Sequence, residues 1–329
     1  MKTAGLTRLR VIVQASFALF CLYSGYRFYL FYLWAMGRSE SYVPRPPAVE
    51  AFLPIGALVS LKRFFLTGVY DHIHPAGLTI FIAAILLAFF FRKGFCGWIC
   101  PVGFVSHQAE KLALKLKILW KPPVWLDYQL LAMKYLLLGF FAFLILVKMD
   151  VRSIEGFNRS PYNMAVDAKM LLFFLEPTAL TIWVMSFLVA ASFFLRNFWC
   201  RYLCPYGALL GIIALVSPVR VRRDQETCID CKRCEKKCPG SIPVSNRISV
   251  WSPECIGCLE CIATCPVPDC LTVSVYCSIR LSPFLLPVAV VSLFLLIWAI
   301  ALATGHWQTE VPVDIFKKYY QLGSRLVHP

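Results

Sequence analysis

Apolar residues in this chain gather in long blocks instead of alternating with polar ones, and the blocks predict helices that cross a membrane. A bilayer core takes about 20 helical residues at 1.5 Å each. Five segments meet or approach that length: 11–34, 76–91, 130–147, 179–195 and 282–303. The second is the shortest, so its ends must lie close to the interfaces. The first carries Tyr23, Tyr26, Arg27, Tyr29 and Tyr32 toward its end, which suits an interfacial aromatic belt. It is too long for a signal-peptide core and no small-residue cleavage site follows, so it reads as an uncleaved anchor.

Composition agrees with the pattern. Of 329 residues, 59% are hydrophobic, far from the balance of an ordinary soluble domain. The net charge of +15 could point to nucleic acid, but no basic face with a recognition module accompanies it, so nucleic acid is excluded as a partner. Lys and Arg instead follow the rule that cytoplasmic loops are basic. With the N-terminus inside, segments 1–10, 92–129 and 196–281 hold 20 Lys and Arg, against 11 in the outside segments. The tail from about Gly305 is then outside.

The first outside segment opens with a Pro-rich stretch at Pro44, Pro46 and Pro47, which predicts extended chain. Ile55 to Phe65 then reads as an amphipathic helix at the interface or as a packed connecting helix. Asp71, His72 and His74 precede the second span in YDHIHPAG. The two histidines could ligate haem or metal, or the three residues could contact a quinol; the plainer alternative is a solvated helix start. Farther on, Asp167 and Lys169 lie in RSPYNMAVDAKMLLFF, a loop that could dock a partner or simply form a short helix.

The chemistry is concentrated between Cys228 and Pro266. The sequence there reads CIDCKRCEKKCP and later CIGCLECIATCP, two copies of C-x2-C-x2-C-x3-C-P. This is the run that holds two [4Fe–4S] clusters, in which the fourth cysteine of each copy ligates the other cluster. By that rule Cys228, Cys231, Cys234 and Cys265 hold the first cluster, and Cys255, Cys258, Cys261 and Cys238 hold the second. A zinc module would need four ligands, not a repeated run of four ending in Cys-Pro. Such thiolates need a reducing compartment, which independently places the segment inside.

A second repeat involves four more cysteines. FRKGFCGWICPVG follows the second span and FLRNFWCRYLCPYG the fourth, so Cys96/Cys100 and Cys200/Cys204 share the pattern C-x3-C-P-x-G. Pro101 and Pro205 suit the first turn of a helix. Cys100 and Cys204 would then precede helix N-termini, where the dipole and nearby Arg or Lys would lower the thiol pKa. Three readings stay open: a further iron or iron–sulfur centre, two redox dithiols, or small structural residues at helix junctions. Cys270 and Cys277 read as core or spare thiols, and Cys21 as a packing residue.

The pairing of two C-x3-C-P motifs after apolar helices with a two-cluster segment resembles the NapH-like and NosR-like membrane polyferredoxins, over about residues 76 to 270. The resemblance implies quinol oxidation or electron relay toward periplasmic reductases such as those of nitrate and nitrous oxide, at a bacterial inner membrane. This chain departs from the NosR kind in having no outer flavin domain, and it adds a fifth span and a tail. The expected fold is mainly α: a polytopic helical membrane protein of about five spans with a cytoplasmic ferredoxin-like module. The expected divisions are a membrane domain at 1–218, the module at 219–280, and the last span and tail at 281–329. Expected partners are membrane lipid, redox proteins with cytochromes or iron–sulfur centres, and a quinone. A metal-reducing assembly factor of the CcoG type and a redox-sensing regulator are the alternatives. No nucleotide or flavin motif is present, so hydride chemistry is not expected.

Overall fold

The structure is a computed structural model that describes residues 4–276 and 279–323. Cys277 and the extreme ends of the chain lie outside the described residues. The fold is mainly helical. α1 (Ala4–Ala35) leads to α2 (Pro54–Thr67), α3 (Pro75–Phe91), α4 (Pro101–Leu116), α5 (Val124–Ala142), α6 (Val151–Asn158), α7 (Pro161–Met164), α8 (Val166–Leu175), α9 (Ala179–Phe194) and α10 (Pro205–Ile213). β1 (Val219–Arg223) comes next. Then follow α11 (Arg233–Lys237), α12 (Glu260–Ala263), β2 (Leu271–Val275), β3 (Ile279–Leu281), α13 (Leu285–Ala303) and α14 (Val313–Gly323). Five of these helices open on proline, whose missing N–H costs nothing in a first turn. The strands form an antiparallel sheet in the order β1-β2-β3, with Val221 opposite Val273 at its buried centre.

Among the described residues, three helices are long and apolar enough to cross a membrane: Gly5–Ala35, Val124–Lys148 and Leu285–Ala303. A fourth crossing is available if α8 and α9, which meet at 79°, act as one span. α3 is strongly apolar but has 17 residues, a length of about 26 Å against about 30 Å of hydrocarbon. The expected segments 11–34, 130–147 and 282–303 therefore fall on long helices, and 76–91 and 179–195 on shorter ones.

The chain divides into two compact units. One comprises residues 1–18, 83–138 and 188–296; the other comprises 19–82, 139–187 and 297–329. The division falls inside α1, α3, α5, α9 and α13. The first unit contains every cysteine of the two repeats.

The second unit has an aromatic core of Phe28, Phe31, Tyr32, Phe316 and Tyr320 with Ala165 and Ala168. Set into it is a buried polar network. The Arg45 guanidinium donates to Asp167 and to Glu50, each at 2.7 Å, and its face lies 4.8 Å from the Phe316 ring centre. The Tyr320 hydroxyl donates to Asp167 at 2.7 Å, and Glu50 accepts from the Gly77 N–H at 3.0 Å. Asp167 is fully buried in this network, so the expected docking role for its loop gives way to an internal ion pair. Lys169 lies over the Tyr162 ring at 5.5 Å. In α2, the Lys62 ammonium donates to the carbonyls of Ile145, Leu146 and Met149 where α5 ends in a π turn. That contact makes α2 a packed helix which satisfies orphan carbonyls.

Arg45 is the guanidinium that pairs with both buried carboxylates, so its removal leaves Asp167 without its cation and Glu50 with only His74 beside it. Arg45→Met is expected to destabilise the protein by about 3–5 kcal/mol. The measurement is thermal unfolding of detergent-solubilised protein, with a clear fall in Tm expected; an unchanged Tm would mean the network is not buried as described.

Candidate metal centre

The two cysteine runs fold as matching loops. In the first, Asp230 and Lys232 take left-handed backbone angles, with φ of 47° and 55°. In the second, Gly257 and Leu259 occupy the same places with φ of 61° each. Three of these four carry a side chain, for which the left-handed region costs about 1–3 kcal/mol and is held only where surroundings over-determine it. The alternation turns successive N–H groups to one side, forming a concavity suited to negative charge. Lys232 and Leu259 each lead into a short helix, α11 or α12, that carries the third cysteine of its run.

The cysteines ring two cavities. One, of about 360 Å³, is lined by Cys228, Cys231, Cys234 and Cys265, together with Cys270. The other, of about 340 Å³, is lined by Cys238, Cys255, Cys258 and Cys261. The fourth cysteine of each run thus faces the cavity of the other run. Among the described residues, no three Cys, His, Asp or Glu side chains gather closely enough for a single metal ion.

Burial pushes the Cys258 thiol up to about 12 and Cys238 to about 11, and raises Cys261 well above the usual range, where the neighbouring thiols add to it. Cys228 goes the other way, lowered by hydrogen bonds from Arg223 and the Asp230 N–H. Four thiolates crowded at either cavity need a cationic core to hold them ionised. An all-sulfur donor set in two interleaved rings of four fits iron–sulfur cubanes, and no three of these donors gather as a single zinc ion would need.

The second repeat converges in the same unit. Cys96 and Cys200 sit in the π turns Phe95–Ile99 and Trp199–Leu203, and Cys100 and Cys204 stand immediately before α4 and α10. Each pair lies within electrostatic reach of the other: Cys204 raises Cys96, and Cys200 raises Cys100. The Tyr206 hydroxyl lies within reach of Cys96, Cys100 and Cys204. The lowered thiol pKa expected at the start of α4 is not found at Cys100. Burial raises Cys96 to about 11, Cys200 to about 12 and Cys100 well above the normal range. Desolvation outweighs Lys93 and the N–H groups, because the thiols face the interior and not solvent. Gly103 is required by this packing: a Cβ there would come 2.9 Å from the Cys96 carbonyl oxygen.

The loop between Cys96 and Cys100 rests directly on the wall of the second cavity. A Cβ on Gly97 would lie 2.2 Å from the Ile256 carbonyl oxygen, so only glycine permits the approach. Fully buried Trp98 donates its indole N–H to the Gly257 carbonyl at 3.0 Å.

Five buried cations fix the cysteine loops in place. Arg10 pairs with Glu260 at 3.1 Å and donates to the Gly97 carbonyl. Arg92 donates to the carbonyls of Ala214 and Ser252. Arg196 pairs with Glu110 at 2.9 Å and donates to the carbonyls of Cys238 and Lys236. Arg201 pairs with Asp127 at 2.7 Å and donates to the Gly240 carbonyl. Lys134, wholly buried, pairs with Glu254 beside Cys255 at 2.6 Å. Sequence reasoning counted the four arginines only as loop charge and left Lys134 inside the expected span 130–147. One signal could have found two of them: Arg92 and Arg196 each stand four residues before the first cysteine of a C-x3-C-P pair.

Of the other expected site residues, Asp71 caps the start of α3, accepting from the N–H groups of Ile73 and His74 and from the Ser60 hydroxyl at 2.5 Å. His74 is buried between Glu50 and the Asn163 carbonyl. His72 turns the other way, half-exposed, with Nδ1 3.0 Å from Glu310. The H-x-H pair therefore does not converge on one point. Cys21 is half-buried in α1.

Comparison with known proteins agrees with this donor chemistry. A 4Fe-4S binding domain pattern matches residues 73–119 and again 176–223, each stretch containing one C-x3-C-P pair. A 4Fe-4S dicluster domain pattern matches residues 220–266. The putative electron transport protein YccM of Escherichia coli (strain K12) is 38% identical over 300 residues, covering 88% of this chain and 83% of that protein. The ferredoxin-type protein NapH of Haemophilus influenzae is 29% identical over 206 residues, 58% of this chain and 67% of that one. The regulatory protein NosR of Pseudomonas aeruginosa is 32% identical over 201 residues, 57% of this chain and 25% of that one. No solved structure matches. The chain belongs to the NapH/NosR-like family of 4Fe-4S ferredoxin-type membrane proteins.

Proposed function

We propose that this protein is a membrane-bound relay that passes single electrons between a module of two [4Fe–4S] clusters and a further centre at the C-x3-C-P cysteines. In this reading Cys228, Cys231, Cys234 and Cys265 hold one cluster, and Cys238, Cys255, Cys258 and Cys261 hold the other. Each cluster, when bound, supplies a one-electron redox couple whose potential is set by burial and by hydrogen bonds to sulfur. The protein's own part is to hold the thiols ionised, exclude water from the second site and fix the spacing between sites.

The observation that carries the reading is the contact at Gly97. Backbone from between Cys96 and Cys100 touches the loop from Cys255 to Cys258 with no side chain between. Such a contact gives a short through-protein route from the second cavity to the four convergent thiols. Cys231, exposed at the mouth of the first cavity, supports electron exchange with a soluble redox protein at that end. At the other end the partner is the quinone pool or a membrane redox protein.

The topology is part of the proposal. All five helices that the unit division cuts coincide with the five apolar segments, which supports five spans. The basic loops and the need for a reducing compartment support a module on the cytoplasmic side of a bacterial inner membrane. Asp71 and His74 have structural duties here, so the reading places no quinone pocket on them.

Two outcomes are expected. Anaerobically purified protein should carry more than about eight irons, with acid-labile sulfide to match. Cys96→Ser or Cys200→Ser should lower the count to about eight and leave the EPR signals of two coupled cubanes. Iron that stays at the wild-type level in those variants would leave the C-x3-C-P cysteines as dithiols or structural residues. Separately, Gly97→Ala should slow electron transfer from the module to the membrane side at least tenfold while both module clusters still reduce with dithionite. Stopped-flow optical kinetics reads both, and an unchanged transfer rate would place the route elsewhere.

A further inference from the structure

The first cavity has a fifth cysteine in its wall. Cys270 belongs to neither run, is 2% exposed, and lines the same space as Cys228, Cys231, Cys234 and Cys265. Its position is built, not incidental. Asp269 takes a left-handed φ of 57°, which turns the chain just before it. The Cys270 carbonyl accepts from the Asp224 N–H at 2.8 Å, and its thiol donates weakly to the Asp224 carbonyl at 3.7 Å. The pairing of Arg223 with Leu271 holds this arrangement at the end of the β1–β2 ladder. Four residues beyond Asp224 stands Cys228, and the thiols of Cys270 and Cys228 are within hydrogen-bonding reach of each other.

The second cavity provides an internal control. Among the described residues, its wall holds four cysteines and no more. Cys270 stands five residues after the crossing ligand Cys265; the matching place after Cys238 is Pro243, which carries no donor. The spare thiol thus serves only the cavity whose rim includes an exposed cysteine, Cys231.

We propose that Cys270 is a reserve ligand for the cluster in the first cavity, able to exchange with Cys228. The inference rests on the reading that this cavity holds a cubane. The exchange is balanced within the site. The bond from iron to the Cys228 sulfur breaks as the bond from iron to the Cys270 sulfur forms, and the Cys270 proton passes to Cys228. Iron keeps its oxidation state and its four-sulfur shell, so no oxidant or reductant takes part. The exchange would preserve the outer cluster when Cys228 is modified, at a site open to soluble partners and to small oxidants.

The test is iron and sulfide content with EPR on full-length protein purified anaerobically. Cys270→Ala should keep wild-type iron and signals. Cys228→Ala should also keep wild-type iron, with altered g-values or a shifted midpoint potential for one cluster. The Cys228→Ala/Cys270→Ala double variant should lose about four irons. Cys255→Ala, in the cavity with no reserve, should lose about four irons as a single change. The milder Cys228→Ser, with and without Cys270→Ala, repeats the comparison if the alanine variants fold poorly. Loss of the same iron from Cys228→Ala as from the double variant would overturn the proposal, as would loss of iron from Cys270→Ala alone. Failure of the underlying reading looks different: Cys234→Ala would then leave the iron content unchanged.

Discussion

Everything in the cysteine-bearing unit depends on buried cations that grip loop backbone. Arg10 comes from α1, Arg92, Arg196 and Arg201 from the segments around the C-x3-C-P pairs, and Lys134 from α5. Taking such charges out of water costs several kcal/mol each unless geometry and further hydrogen bonds compensate. Here they do. Arg196 spends one side of its guanidinium on Glu110 and the other on the carbonyls of Cys238 and Lys236. Arg201 divides itself the same way between Asp127 and Gly240. Loop carbonyls beside the cysteines have no ladder to satisfy them, and these side chains supply the missing donors. The same positive charges act on the thiols: Arg10 lowers Cys258 and Arg196 lowers Cys238, each against its burial. One set of residues therefore settles both the position and the charge balance of the site.

Close backbone approach is the second constraint, and it follows from the first. Arg10 donates to the Gly97 carbonyl, and Gly97 in turn meets Ile256 at a distance no Cβ allows. Gly211 and Gly240 make similar approaches to Pro253 and Glu254, on the loop that leads into Cys255. Three glycines thus let separate loops close around the start of the second run. The cavity with the tightest surroundings is the one that touches the C-x3-C-P loop. The cavity with the exposed cysteine is the one left at the surface. A relay needs this asymmetry, with one end open to a partner and the other sealed against water.

What was legible in the sequence was local. The spacing of the runs told which cysteines face which cavity, because the stagger of a tight loop is a short-range property. The prolines told where α4 and α10 begin. The apolar blocks told where helices lie, the short second block 76–91 included, but not that α8 and α9 would meet at 79°. Long-range facts were not legible. Nothing in the two C-x3-C-P patterns said that they converge, and the helix-start argument for a lowered thiol pKa failed at Cys100 because it counted nearby charge and left out burial. The basic residues were misjudged in the same way. Five of the Lys and Arg that read as loop or span charge are interior ligands of backbone and carboxylate. Asp167, read in a loop that could dock a partner, and His74, read as a haem, metal or quinol contact or a solvated helix start, belong to a buried network around Arg45.

Cys270 shows where the boundary between local and long-range information lies. As a lone cysteine five residues past a ligand it carries no pattern, and it reads as a spare thiol. Its meaning depends on strand register. Pairing β1 with β2 puts Arg223 opposite Leu271, and this one pairing brings Asp224 to Cys270 and the turn to Cys228 back over the same cavity. A shift of one residue would turn each strand's side chains to the other face. The Cys270 thiol would then leave the cavity while every cysteine spacing in the sequence stayed as it is. The cluster-binding runs are thus specified by spacing alone, whereas the fifth thiol is specified by the sheet that brackets them.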